Sequence, residues 1–111
     1  MHIRVQRITF QNKKSKEMTL SFARHGATPK AMEEGLIAVF TIDVSDTEAT
    51  WILIFKDEKS MKKEWETQGR EIASSINAQG NHCVNYDGGV IAGLISDVSD
   101  LEEKLKTIIS D

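Results

Sequence analysis

Cysteine and proline are nearly missing from this 111-residue chain, which has one of each, Cys83 and Pro29. A lone thiol cannot close an internal disulfide, so nothing argues for an oxidising compartment and a cytoplasmic location is expected. No apolar run approaches the ~18 residues of a membrane span, and Met1 to Val5 lacks the apolar stretch of a signal peptide, so no membrane partner is expected. There is no internal repeat, low-complexity tract or interdomain linker, and residues 1–111 read as a single domain. Phosphate-binding loops and a Gly-x-Ser-x-Gly elbow are also absent, which leaves nucleophilic catalysis without support. What remains is ordinary for a globular protein: 40% hydrophobic and 28% charged residues. A chain of this size hides roughly 65% of its unfolded surface, enough for a core without metal or disulfide staples.

Charge is unevenly spread. The net charge is −3, yet residues 1 to 30 hold seven basic groups (Arg4, Arg7, Lys13, Lys14, Lys16, Arg24 and Lys30) against Glu17 alone, +6 in all, which leaves −9 for the rest. Such a field can draw an anionic ligand toward the N-terminal third, or Lys13, Lys14 and Lys16 are a solvated loop and helix start. Nucleic acid is not expected, because the chain is acidic overall and its basic residues are not interleaved with aromatics.

Periodicity gives the elements. Residues 2 to 10 alternate as a first strand, with Ile3 and Val5 on one face and Arg4, Gln6 and Ile8 on the other. Ser15, Met18 and Phe22 mark a helix that should stop near Gly26, because Thr28-Pro29 disfavours continuation; a short helical turn can follow before Glu34-Gly35. Leu36 to Val44 and Thr50 to Phe55 form a hairpin about the polar Ser45 to Glu48 segment. Asp57 caps a second helix with a stripe of Met61, Trp65, Gln68, Ile72 and Ile76, ended by Gly80. His82 to Tyr86 and Val90 to Ile95 are either a hairpin about Asp87-Gly88 or one strand preceded by an extended loop. Ser99 with Glu102 is a capping box for a closing helix along Leu101, Leu105, Ile108 and Ile109.

The order strand, helix, strand, strand, helix, strand is the α+β, split βαβ pattern of ferredoxin-like folds with an antiparallel sheet. Both hairpin strands are apolar on both faces, and two helices cover one face only. The simplest solution is a homodimer packed sheet against sheet, with Val39 and Ile52 at the contact.

Three segments resemble the dimeric α/β-barrel superfamily, specifically its antibiotic-biosynthesis and haem-degrading monooxygenases: Gln6 to Phe10, Phe22 to Gly26, and Ile54 to Met61 running into Trp65. The resemblance implies a flat or elongated hydrophobic ligand held between sheet and helices, and in several members oxygen chemistry without metal or flavin. In the haem-degrading branch it implies an amide on strand one, matched by Gln6, a tryptophan early in helix two, matched by Trp65, and a histidine about three turns on. That histidine would fall near Ser75, which cannot ligate iron, so no haem or other cofactor is expected.

Taken singly, the residues divide between structure and chemistry. Trp65 belongs either to the core or to a cavity lining, where its indole N–H needs a partner. The Gln6 amide, mid-strand on a covered face, must be hydrogen-bonded to neighbours, water or ligand. His25 is either a general base or a cation favoured at a helix C-terminus. His82 and Cys83 point to opposite faces and cannot share an ion, so no metal site is expected. Tyr86 before Asp87-Gly88-Gly89 flanks a turn or belongs to a lid. Met18, Met32 and Met61 fill the core or, clustered at a cavity wall, favour an adaptable apolar ligand.

These readings converge on a small-molecule-binding dimer with an apolar pocket lined by Gln6, Ile8, Phe22, Phe40, Met61 and Trp65, and with Arg4, Arg7 or Arg24 at its mouth for a carboxylate. An acyl chain or a polyketide-like ring suits it. If the protein is an enzyme, the resemblance implies cofactor-independent oxygenation: Gln6 orients the substrate, Trp65 donates a hydrogen bond or an electron, and His25 is a base. The competing class is a non-catalytic homo-oligomeric interaction or sensing module.

Overall fold

Alternation in β1 (His2–Thr9) and β3 (Glu48–Phe55) turns Arg4, Gln6 and Ile8, together with Ala49, Trp51, Leu53 and Phe55, to one buried face. In the computed structural model, which describes residues 1–92, these strands form the centre of a four-stranded antiparallel sheet of order β2-β3-β1-β4. The remaining strands are β2 (Leu36–Ser45) and β4 (His82–Gly89). Interleaving β3 between β1 and β2 is the split βαβ arrangement expected above. The helix expected after Ser99, its Glu102 capping partner and residues 93–95 lie outside the described residues.

Between β1 and β2 run α1 (Lys13–Phe22) and α2 (Thr28–Glu33); between β3 and β4 run α3 (Glu58–Glu64) and α4 (Arg70–Ala78). Asn12 caps α1 by accepting the Ser15 N–H at 2.8 Å, and Asp57 caps α3 by accepting the Ser60 N–H at 2.7 Å. Each helical run contains one wide π-helical turn, Ala23–Ala27 in the first and Trp65–Gly69 in the second. The first of these overturns the expected stop at Gly26. The backbone widens across Ala23–Ala27 and re-enters helix at Thr28, which places Pro29 in a first turn, where a missing N–H does least harm. The true end is Gly35, whose φ of +110° suits glycine, and a Cβ there would meet Ser60 Oγ at 2.5 Å. The second run ends after Ala78, just before Gly80 as expected.

The core lies between these helices and the inner sheet face: Ile8, Phe10, Ala31, Leu36, Trp51, Phe55, Met61 and Ile76 pack together. Full burial of Phe55 alone is worth roughly 1.5–3 kcal/mol. The opposite face carries Ile3, Val5, Ile52, Ile54, Phe40, Ile42, Val84 and Tyr86, with no described element over it. Ile42 and Tyr86 are exposed there.

Two strand readings change. A register break between Leu36 and Ala38 puts Val39 opposite Leu53 on the helix side and Phe40 opposite Ile52 on the open side. Val39 is therefore not at a sheet-to-sheet contact, and Phe40 is not in a helix-side pocket. Asp87-Gly88 is not a turn either. β4 runs through it unbroken, with Asp87 opposite Arg4 and Gly88 opposite Ile3.

Candidate functional site

Two spaces separate the helical runs above the inner sheet face. The larger, about 480 Å³, is a cleft floored by Trp51, with Met18, Thr19 and Phe22 of α1 on one side and Ile72, Ser75 and Ile76 of α4 on the other. Lys30 and Glu71 are the charged groups in its lining. Adjoining it is a smaller chamber of about 40 Å³, walled by Ala23, Ala27 and Ala31, by Leu36, Val39 and Leu53, and by the polar side chains of Gln6, Glu64 and Thr28. Trp51, Gln68 and Ile72 line both spaces. The Gln68 amide nitrogen donates to the Ala27 carbonyl at 2.8 Å, tying one π-helical turn to the other. Such turns recur where a helix must open for function, and here both border the chamber.

The polar end of the chamber is set by a buried ion network. Arg4 is only 1% exposed. Its guanidinium donates to Glu64 Oε2 at 2.5 Å, to Asp87 Oδ1 at 3.0 Å and to the Met61 carbonyl at 3.4 Å. It also lies over the Trp65 ring, 4.9 Å from the centroid, and the Phe55 ring at 5.3 Å. Gly69 leaves room for this arrangement: a Cβ there would meet Glu64 Oε2 at 2.8 Å and the Trp65 ring at 3.1 Å. Gln6 is also buried, directly across from Trp51 on β3 and Asn85 on β4. No side-chain hydrogen bond among the described residues involves the Gln6 amide or Glu64 Oε1.

The structure brings together only part of the expected constellation. Phe22 lines the cleft and Gln6 the chamber. Trp65 lines neither space; Trp51 is the tryptophan of the cleft. Ile8 and Met61 are buried in the core rather than along a ligand path. Arg4 is not at a mouth, because it is buried and its donors are committed to the buried Glu64 and the partly exposed Asp87. Arg7 is exposed and pairs with Thr50 and Val84 on the open face, while Arg24 and His25 are exposed on the first π-helical turn, outside both linings. Of the N-terminal basic residues, Lys30 alone lines the cleft; Lys16 is buried and paired with Asp43. Met18 lines the cleft, Met32 is exposed, and Tyr86 is an exposed strand residue on the open face. Glu64 was missed, although a charged residue on the covered face of β1 calls for a buried acid partner.

Among the described residues no group of three or more His, Cys, Asp and Glu side chains is placed to hold a metal, and no helix is long and apolar enough to cross a membrane. Cys83 packs beside the core, and burial pushes its thiol pKa up.

No protein-family model and no curated protein sequence matches the chain. Solved structures do match. A dimeric ferredoxin-like protein from an uncultured marine organism is 12% identical, with 84% of this chain and 97% of that chain covered and a TM-score of 0.68. The monooxygenase from the gene ActVA-Orf6 of Streptomyces coelicolor, in complex with the ligand Nanaomycin D, is 10% identical, with 86% and 92% covered and a TM-score of 0.66. SnoaB, a cofactor-independent oxygenase from Streptomyces nogalater, is 15% identical, with 86% and 97% covered and a TM-score of 0.63. These are the folds that the sequence resemblance implied, and the topology found here is theirs.

Proposed function

We propose that the protein binds an apolar small molecule in the cleft over Trp51 and acts as a dimer joined through its open sheet faces, with cofactor-independent oxygenation as its chemistry. The observation that carries the reading is the 480 Å³ cleft itself: a concave space with an aromatic floor, apolar side walls and a few polar groups has the form of a small-molecule site. A polyketide-like ring suits the flat indole floor, and an acyl chain suits the Met18 and Phe22 wall. Lys30 is the cation that a ligand carboxylate would meet. In the oxygenation, dioxygen gives one atom to the substrate and the other leaves as water, with the substrate supplying the electrons. The dimer is supported by the uncovered apolar face and by the fold shared with proteins described as dimeric.

Tryptophan emission tests the cleft. A titration with polycyclic phenols or fatty acids should shift the signal in Trp65→Phe and leave it unchanged in Trp51→Phe; the reverse pattern refutes this site. Oxygen uptake with hydroxylated polycyclic substrates in chelator-treated buffer tests the chemistry. Ligand binding without uptake across such a panel would favour a non-catalytic sensing module instead.

A further inference from the structure

We propose that the outward side of α1, with the wide turn and α2 that continue it, docks on an anionic lipid surface, Met18 and Phe22 entering the bilayer and Lys13, Lys14, Arg24 and Lys30 meeting the headgroups. This goes beyond the cleft reading and does not rest on it. Helix geometry sets which side is outward. Lys16 is buried and paired with Asp43 of β2, and Leu20 packs against the core. Met18 and Phe22 each lie two residues beyond one of these anchors, about 200° round the helix from it. They are 64% and 61% exposed. Both therefore stand away from the core, one turn apart on the rim of the cleft.

Charge along the run is nearly of one sign. From Gln11 to Met32 the only acid is Glu17, whereas Lys13, Lys14, Arg24 and Lys30 are all exposed and Lys16 is paired with Asp43. Four exposed cations against one acid leave +3 here, in a chain whose net charge is −3. Across the cleft, Glu71 is the one acid of its lining. Each Lys or Arg close to an anionic bilayer favours the bound state about fivefold. Two apolar side chains among cations offer too little area for a specific protein partner, which needs about 800 Å² a side. A bilayer asks for no matching shape, only cations at its surface and a few apolar groups to insert. The expectation of no membrane partner rests on the lack of a span, which surface docking does not require. Because Met18, Phe22 and Lys30 all line the cleft, docking turns its opening to the lipid.

Co-sedimentation of the full chain with sucrose-loaded vesicles, of phosphatidylcholine alone or mixed equally with phosphatidylglycerol, tests the docking. In low salt the mixed vesicles should bind at least tenfold more strongly, and high salt should remove that advantage. Lys13→Ser/Lys14→Ser should weaken binding at least fivefold, and Met18→Ser/Phe22→Ser at least tenfold, with circular dichroism unchanged in both. In Phe22→Trp, vesicles should shift emission to the blue and brominated lipid should quench it, which reports insertion. No preference for the anionic vesicles overturns the proposal and leaves the cleft reading standing. So does binding that keeps its strength in Met18→Ser/Phe22→Ser with no quenching in Phe22→Trp, the mark of a purely electrostatic patch. Phe22→Trp emission already blue without lipid would mean that the rest of the chain covers the pair, which also overturns it. A wild type that ignores vesicles, with a Met18→Ser/Phe22→Ser variant that sediments as a smaller species, gives the face to a second copy instead.

Discussion

Replacing Arg4 by leucine should be among the most damaging single changes this fold can suffer. Arg4 and Glu64 are 1% and 3% exposed, so removing the cation leaves a nearly buried carboxylate without its charge partner. Breaking a buried pair from one side costs about 3–5 kcal/mol. The lost stacking on Trp65 and Phe55 adds to this. Set against a total stability of about 5–15 kcal/mol for a domain of this kind, the variant should be barely folded. With a urea slope of about 1–3 kcal/mol per molar, a loss near 4 kcal/mol moves the midpoint by roughly 2 M. The double variant Arg4→Leu/Glu64→Leu should be more stable than Arg4→Leu alone, because both charges leave the core together and Asp87, with its side chain 38% exposed, can be hydrated. Urea titrations at fixed protein concentration measure the cycle, since self-association would otherwise shift the midpoint. A cost below about 1 kcal/mol for Arg4→Leu would refute the reasoning, as would a double variant whose cost equals the sum of the singles.

Phe40→Asp and Ile52→Asp, on the open face, should shift sedimentation from dimer to monomer while circular dichroism stays native; Val39→Asp, on the helix side, should unfold the chain instead. The Ser60 hydrogen bonds hold the Asp57 carboxyl below its ordinary value of 3.8, and the Lys62 contact does the same for Glu58. A lowered folded-state pKa contributes stability above the unfolded value and loses it as pH falls through the folded one, so Asp57→Asn should flatten acid unfolding below about pH 4. Because burial raises its thiol pKa, Cys83 should react with iodoacetamide at pH 8 more slowly than a free thiol, and unfolding in urea should restore the ordinary rate. Hemin titration should give no Soret feature of coordinated imidazole, since no histidine is among the residues lining the cleft.

Much of the fold can be read from alternation. Arg4, Gln6 and Ile8 fall on one side of β1 and Ile3 and Val5 on the other, and the doubly apolar hairpin already implies a sheet with two covered faces. Local insertions are what the pattern hides. One extra residue at Ile37 exchanges the faces of Val39 and Phe40, and neither strand carries a glycine there to announce it. The π-helical turns are equally silent, because Gly26 and Pro29 look like a helix stop and Trp65 fits an unbroken stripe. At the site, Gln6 and Phe22 were legible from face and spacing. Glu64 and Asp87 were not, since they meet Arg4 across 60 and 83 residues of chain. Asp87-Gly88-Gly89 reads as a turn until the guanidinium opposite Asp87 supplies the reason for an aspartate in mid-strand.

The register breaks in β2 bear on how copies of this chain avoid the wrong company. β2 stands at one margin of the sheet, and beyond it no described strand takes up its outward backbone groups. A straight margin of this length is a template for uncontrolled strand addition. Here the ladder slips near Ile37 and again near Val44, toward the two ends of the strand. An incoming segment that matched the middle of β2 would be thrown out of step at each end. Fibre-like growth along the sheet is thereby discouraged, and the broad apolar face is left to the proposed dimer.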